Sequence, residues 1–175
     1  MQRSGFWIRT AATAIDAIVF LIFVVTIAVT ELVLEQRGTL TDAKETMLSA
    51  LLFVLWIAYS SLEVIAGATV GKMLTGIVIA TPNGAPAPPW TRVLRWSTKQ
   101  SGMLCGWGYV ISDSPILYYV GGLLNSLLMI GCLRALGEDK QTWHDLWSHT
   151  AVVPRKAATQ MREVREEPEG VPPPT

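Results

Sequence analysis

The chain has 175 residues, of which 50% are apolar and only 16% are charged. This composition is typical of a membrane protein and excludes an ordinary soluble domain. The formal net charge is +0, so no general attraction to nucleic acid or to another polyanion is expected. The two cysteines, Cys105 and Cys132, lie in apolar stretches without metal-ligand spacing, and we interpret them as small hydrophobic residues.

The first predicted element is a transmembrane helix. Residues 14–34 are apolar apart from four positions, and as a helix they would cover about 32 Å, roughly one bilayer core. Arg9 and Asp16 lie at its beginning, seven residues apart, so they share a helix face but stand two turns from each other. Because a charged group in lipid costs roughly 2.5–3.5 kcal/mol, each is expected to face a partner elsewhere in the chain.

A second crossing is predicted for residues 47–66, with Glu63 as the third ionisable group at membrane depth. The stretch 67–81 that follows is polar and rich in glycine, and it contains a short β-like run at 77–79. Prolines after this run are expected to prevent a long return strand. These features predict an interfacial loop with some structure of its own.

Residues 90–100 alternate apolar and basic side chains at helical spacing, which predicts an amphipathic helix on the membrane surface. Its aromatic and basic side chains indicate contact with anionic lipid, through Trp90, Arg92, Arg95, Trp96 and Lys99. The apolar stretch 101–133 is divided by Ser-Asp-Ser-Pro at 112–115, which is typical of a helix start. A short third membrane segment and a full fourth one are therefore predicted, at about 96–111 and 116–133.

The flanks of these two segments are both basic, which indicates that both face the cytoplasm and that an even number of crossings separates them. Residues 134–153 are predicted to lie against the membrane face, and the Pro-rich residues 154–175 to form a disordered cytoplasmic tail. The predicted fold class is all-α: an integral membrane domain, residues 1–153, with four membrane-embedded helices and an interfacial amphipathic helix. The third segment is short or re-entrant, and both termini are cytoplasmic.

Several short patterns together resemble the RDD family of small integral membrane proteins. They are Arg9-x6-Asp16, Glu63 with Thr69-Val-Gly71-Lys72, Asn83-Gly84 followed by Arg95, and His144-Asp145-x4-Thr150-Ala-Val-Val153. The resemblance covers about residues 6–153 and maps the one arginine and two aspartates of the family's name onto Arg9, Asp16 and Asp145. It implies a multi-pass membrane domain and, for a few members, cation/proton antiport.

The charged residues Arg9, Asp16, Glu63 and Asp145 allow two interpretations. They can form a structural ion network that clamps the first helix to the C-terminal segment, because breaking a buried pair leaves a charge stranded. They can also form an ion or proton site, and Glu63, for which the sequence offers no obvious fixed cation, favours this. His144 and Asp145 are adjacent on a helix and point about 100° apart, so an acid/base dyad is not predicted. No metal site and no cofactor are expected.

The leading hypothesis is a small membrane protein that handles Na⁺, K⁺ or H⁺ through Asp16 and Glu63. Four helices leave little room for a transport path, so a homo-oligomer or a larger complex is expected. The alternative is a non-catalytic accessory or lipid-binding subunit of a membrane complex. An enzyme is not predicted, since no nucleophile or metal set accompanies Asp145. The spacing of Gly102 and Gly106 would let two helices approach closely.

Overall fold

The computed structural model describes residues 3–166, which form seven helices and one two-stranded sheet. In chain order the elements are α1 (Phe6–Gln36), α2 (Asp42–Ala66), α3 (Val70–Leu74), β1 (Ile77–Ala80), α4 (Pro89–Ser112), α5 (Pro115–Leu133), α6 (Trp143–Trp147), β2 (Ala151–Pro154) and α7 (Arg155–Glu166). A single 3₁₀ turn, Arg134–Leu136, follows α5.

Three helices are long and apolar enough to cross a membrane: α1, α2, and α5 with its following turn. Their most apolar windows are only 6%, 17% and 11% buried inside the protein, as expected for helices whose side chains face lipid. A mostly helical membrane protein is therefore confirmed. The count of four membrane segments and the cytoplasmic placement of both termini stay predictions.

The ends of α1 and α2 follow from local sequence. Gly38 and Gly67 both adopt left-handed backbone conformations just beyond the helix ends, with φ of +64° and +70°. Glycine takes this conformation without a Cβ clash and so stops a helix. Asp42 and Glu45 lie in the first turn of α2, where negative charge interacts favourably with the helix dipole.

The structure differs from the prediction in the region of α4. One continuous helix of 24 residues replaces both the predicted surface helix, 90–100, and the short third segment, 96–111. It begins with Pro89 in its first turn and ends before Asp113, whose φ is +51°. The predicted division at Ser-Asp-Ser-Pro is confirmed, because α5 starts at Pro115. The surface and membrane parts merge because nothing between them breaks the helix.

The four long helices contact one another in series, from α1 to α2, from α2 to α4 and from α4 to α5, and the short helix α3 packs against α1. The α4–α5 contact is the most extensive of these, and glycines line it. A Cβ on Gly121 would lie 2.8 Å from the backbone oxygen of Gly102, and a Cβ on Gly102 would lie 2.4 Å from Oδ1 of Asn125. The predicted close approach at Gly102 thus occurs within the chain, between α4 and α5.

A short antiparallel sheet joins two distant parts of the chain. β1 pairs with β2 from Ile77 opposite Pro154 to Ala80 opposite Ala151. Fully buried aliphatic side chains of both strands pack with Ala12 of α1, and the backbone N–H of Ser4 donates to the carbonyl of Val152 at 2.9 Å. The strand-like run in β1 was predicted from sequence, whereas β2 was not. The all-α class therefore needs this sheet added to it.

The C-terminal region also differs from the prediction. Pro154 is the last residue of β2, and Arg155–Glu166 forms α7, whose Ala158 packs against the sheet. Pairing with β1 satisfies the backbone of 151–154, and this strand positions the first turn of α7 against buried apolar side chains. Residues 167–175 lie outside the described residues, and their disorder stays a prediction.

Candidate functional site

Asp145 is the fully buried carboxylate at one end of the site. It stands at the third position of α6, where it forms a capping box with Thr142: the backbone N–H of Thr142 donates to Oδ2 at 3.2 Å, and the backbone N–H of Asp145 donates to Oγ1 of Thr142 at 3.4 Å. Nη1 of Arg9 donates to the same Oδ2 at 2.5 Å, and Nη1 of Arg95 donates to Oδ1. The carboxylate of Asp145 thus accepts hydrogen bonds from two arginines and also caps the N-terminus of α6.

Arg9 connects the first turn of α1 to the C-terminal segment. Besides its bond to Asp145, its Nη2 donates to the carbonyl of Lys140 at 2.7 Å and its Nε to the carbonyl of Ser4 at 3.1 Å. The sequence left open whether Arg9 pairs with Asp16, Glu63 or Asp145. The structure pairs it with Asp145, 136 residues further along the chain.

Glu63 is the second buried carboxylate, near the end of α2, and it is 1% exposed. Its Oε2 accepts from Nζ of Lys72 at 2.7 Å and from Nζ of Lys99 at 2.6 Å, and its Oε1 accepts from Nε of Arg95 at 2.9 Å. Glu63 was expected to lack a fixed cation. That expectation was wrong, because α3 and α4 fold back onto the end of α2 and bring three cations to it.

Arg95 joins the two carboxylates into one network. Its Nε bonds to Glu63, its Nη1 bonds to Asp145, and the same Nη1 lies 3.5 Å from Oγ1 of Thr150. At 2% exposure it cannot contact lipid, so its predicted lipid role was wrong. The helix turns its basic face inward because two buried carboxylates lie there. Their attraction offsets the free-energy cost of desolvating the guanidinium of Arg95.

The other predicted lipid contacts divide between the interior and the surface. Lys99 bonds to Glu63, the indole N–H of Trp96 donates to Oγ of Ser60 at 3.0 Å, and Nη1 of Arg92 donates to the carbonyl of Ile65 at 2.9 Å. Trp90 is 63% exposed. Of the five residues, Trp90 has the free surface that a lipid contact requires.

Asp16 is held by neutral donors. Its Oδ1 accepts from the hydroxyl of Tyr59 at 2.6 Å and from the backbone N–H of Gly71 at 2.7 Å, and its Oδ2 accepts from Oγ1 of Thr69 at 2.6 Å. Among the side chains that the structure describes, those of residues 3–161, no cationic group lies within ion-pair distance of it. Asp16 therefore ties α1 to α2 and α3. Contrary to the prediction, it does not join the network of Arg9 and Asp145. Tyr59 was missed, since its position in α2 carries no motif.

Gly71 allows the close contact between α3 and α1. A Cβ at this position would lie 2.0 Å from the backbone oxygen of Ala12 and 2.8 Å from Oδ1 of Asp16. Only glycine lets the two backbones approach closely enough for the Gly71 N–H to reach the carboxylate. The predicted motif residues Thr69, Gly71 and Lys72 thus contact two different carboxylates from one short helix.

His144 is buried beside the network without a hydrogen bond to Asp145, since its Nε2 lies 3.9 Å from Oδ1. Burial, followed by the positive charges of Arg95 and Lys99, holds the pKa of His144 well below its ordinary value, so its imidazole is neutral. Thr150 supports the network from the other side, with its hydroxyl 2.8 Å from Oγ of Ser148.

The network carries more positive than negative charge. Two carboxylates, Glu63 and Asp145, face four cationic side chains, Arg9, Lys72, Arg95 and Lys99. Burial lowers the pKa of Lys72 from 10.5 to about 7; Lys99 and Arg95 add to this effect and Glu63 opposes it. Lys72 is thus the cation of the group that most easily loses its proton. No three His, Cys, Asp or Glu side chains converge in the described part of the chain in a way that would hold a metal ion.

Comparison with known proteins agrees with the motifs in this site. No curated protein and no solved structure matches the chain. The profile of the RDD family matches residues 3–149, a range that contains Arg9, Asp16, Glu63, Arg95 and Asp145. Because the match spans most of the chain and includes the whole buried network, this protein belongs to the RDD family.

Proposed function

We propose that this protein exchanges a monovalent cation, Na⁺ or K⁺, for protons across the cell membrane, with Asp16 as the carboxylate that binds the cation. The observation that carries the proposal is the set of partners of Asp16, which are all neutral. A carboxylate offers about four lone-pair positions, and three hydrogen bonds leave one open. An aspartate whose partners are all neutral, in the first half of a membrane-spanning helix, is a site where a mobile cation can bind.

The surroundings of Asp16 suit a hard cation. The hydroxyl oxygens of Tyr59 and Thr69 lie within 2.6 Å of the carboxylate, and each keeps lone pairs while its hydrogen is donated. Oxygen ligands of this kind are preferred by hard metal ions. The side chain of Asp16 is half-buried, so a cation could reach it without the protein unfolding.

Glu63 has a different role in this proposal. Three cationic groups already saturate its two oxygens, so it provides the counter-charge that keeps Lys72, Arg95 and Lys99 in place. The sequence hypothesis placed cation handling on both carboxylates, and the geometry favours Asp16 for it.

The network also supports a topology. Its members come from the start of α1, the end of α2, the first turns of α4 and the segment after α5, and they touch one another. These four positions therefore lie on one side of the membrane, which favours four membrane segments with α4 as the third. The cationic residues on that side support a cytoplasmic location for it by the positive-inside rule.

An assembly of several chains is part of the proposal. The four long helices contact one another in series, and large apolar side chains such as Ile22 and Ile130 stay exposed on the outer helices. One chain of this size encloses little room for a transport path. A homo-oligomer, or a complex with another membrane protein, would provide it.

A second candidate is a non-catalytic accessory or lipid-binding subunit. It is favoured by the mutual saturation of Arg9, Arg95 and Asp145, which is what a purely architectural clamp requires. An open hollow of about 520 Å³ beside the exposed Trp90, lined also by Asn83 and His149, fits contact with a lipid headgroup.

The test is proton flux in sealed proteoliposomes of the purified protein, with Na⁺, K⁺ or Li⁺ added in turn. Wild type is compared with Asp16→Asn, which keeps one acceptor oxygen and the size of the side chain but removes the charge. The expected result is a cation-dependent flux that is lost in Asp16→Asn while the variant stays folded and monodisperse.

Glu31→Gln is the matched control, because it removes a carboxylate from the same helix without touching the site. It is expected to keep the flux. No flux in wild type with any of the three cations, together with a lower melting temperature for Asp16→Asn, would refute transport and favour the architectural role.

A further inference from the structure

Lys72 is buried between groups of both charges. It lies in α3 with 8% exposure, and its ammonium donates to Oε2 of Glu63 at 2.7 Å. Lys99 donates to the same oxygen at 2.6 Å, so one carboxylate oxygen is shared by two lysines. The second lysine is closer to solvent, since its side chain is 30% exposed and that of Lys72 is 11% exposed.

The cluster that contains Lys72 has charged groups from four helices besides α3 itself. They are Asp16 and Arg9 on α1, Glu63 on α2, Arg95 and Lys99 on α4, and Asp145 with the neutral His144 on α6. The strand β1, which follows α3, has no titratable side chain. Counting Asp16, the cluster has four cations and three carboxylates. Loss of one proton makes it neutral.

Lys72 is the group that can lose this proton. The two arginines stay protonated at any physiological pH, and the side chain of Lys99 is 30% exposed and keeps contact with water. Burial lowers the pKa of Lys72 to about 7, against the opposing effect of Glu63 and together with the like charges of Lys99 and Arg95.

Lys72 is also linked directly to the candidate cation site. The backbone N–H of Gly71 bonds to Asp16, and the side chain of the next residue bonds to Glu63. A cation at Asp16 would add positive charge to a cluster that already has an excess of it. Proton loss from Lys72 would remove that excess.

From this arrangement we infer that Lys72 is the proton-carrying group of the protein, and that a cation bound at Asp16 and the proton on Lys72 displace each other. The inference rests on the proposed function and deepens it, because it moves the proton from a carboxylate to an amine. Binding and release then exchange one positive charge for another, which keeps the buried charge constant. Such mutual displacement is the thermodynamic requirement for exchange.

The experiment measures Na⁺ binding to the purified full-length protein at pH 6 and at pH 8 by calorimetry. One competing proton with a pKa near 7 limits the effect to about tenfold weaker binding at pH 6. Lys72→Met, which is neutral at every pH, is expected to bind Na⁺ with the same affinity at both pH values. Lys99→Met is the matched control, since it removes the other lysine from the same carboxylate oxygen. Loss of this like charge moves the pKa of Lys72 upward, so the variant should keep a pH dependence of at least tenfold.

A second measurement follows the proton itself, by NMR of ¹⁵N-labelled lysine side chains in the wild-type protein. One lysine signal is expected to titrate near pH 7 and to be missing from the spectrum of Lys72→Met. The titration itself is read from the wild-type protein and does not depend on transport activity.

The outcomes separate the inference from the proposed function. If Lys72→Met keeps the tenfold pH dependence, the inference is overturned while cation binding at Asp16 stands. If wild type binds no Na⁺, K⁺ or Li⁺ at either pH, the proposed function and the coupling both fall. If no lysine titrates near neutrality, Lys72 does not carry the proton, whatever the binding data are.

Discussion

Replacing Gly71 by alanine is expected to separate α3 from α1. The new Cβ would lie 2.0 Å from the backbone oxygen of Ala12, and a normal contact between such atoms is about 3.3 Å or longer. Because the opposing atom belongs to helix backbone, no side-chain rotation relieves the clash. The two helices must move apart by about 1.3 Å.

This shift would break the hydrogen bond between Gly71 and Asp16. A bond of 2.7 Å would lengthen to roughly 4 Å, beyond hydrogen-bond range. Loss of a hydrogen bond to a charged group costs about 1.5–3 kcal/mol, and an overpacked contact costs about 1–3 kcal/mol. The expected loss of stability is therefore about 3 kcal/mol or more, which for a chain of this size lowers the melting temperature by roughly 6–12 °C.

The measurement is thermal unfolding of the detergent-purified protein, in which the fraction that stays monodisperse is recorded at each temperature. Gly106→Ala in α4 is the control, because a Cβ there meets nothing within 4 Å. It is expected to leave stability unchanged or to raise it by up to about 1 kcal/mol, the helix preference of alanine over glycine. A Gly71→Ala protein that melts within a degree or two of wild type would refute the close contact between α1 and α3.

Two further predictions concern the charge network. Asp145→Asn would leave two buried arginines without their shared carboxylate and should cost about 3–5 kcal/mol in thermal unfolding. Asp139→Asn, at a side chain that is 68% exposed, should cost less than about 1 kcal/mol, and equal losses in the two variants would contradict the clamp. The pKa of Lys72 falls from 10.5 to about 7 on folding, so the unfolded chain binds more protons between these values and stability should rise with pH across that window. The upper limit is roughly 5 kcal/mol, and unfolding curves from pH 6.5 to 9.5 should lose this slope in Lys72→Met.

The membrane-spanning helices were predictable because hydrophobicity is a property of each stretch taken alone. Residues 14–34, 47–66 and 116–133 lie within α1, α2 and α5. The break at Ser-Asp-Ser-Pro was predictable for the same reason, since the chemistry that ends one helix and starts the next is local.

The continuity of α4 was not predictable in this way. Its first half is amphipathic and its second half apolar, and the sequence pattern alone suggested two elements with different positions in the membrane. The basic face of the first half is compatible with lipid headgroups and equally with buried carboxylates. Only the position of Glu63 and Asp145 in the folded protein decides between them.

The strand β2 was missed because its four residues, Ala151–Pro154, are too few to show a period and gain stability only by pairing with β1. Tyr59 was missed for a related reason. A tyrosine in an apolar helix is unremarkable until the fold brings Asp16 within 2.6 Å of its hydroxyl.

The sequence by itself determined that this is a mostly helical membrane protein. It also determined that Arg9, Asp16, Glu63 and Asp145 need partners, because a charge without a partner is costly in a membrane protein whichever group the partner is. Only the tertiary structure decided the pairing: Arg9 with Asp145, Glu63 with three cations, and Asp16 with neutral donors alone. The physical reason is that burial cost depends on the residue and its own segment, whereas an ion pair depends on the positions of two groups that can stand 136 residues apart in the chain.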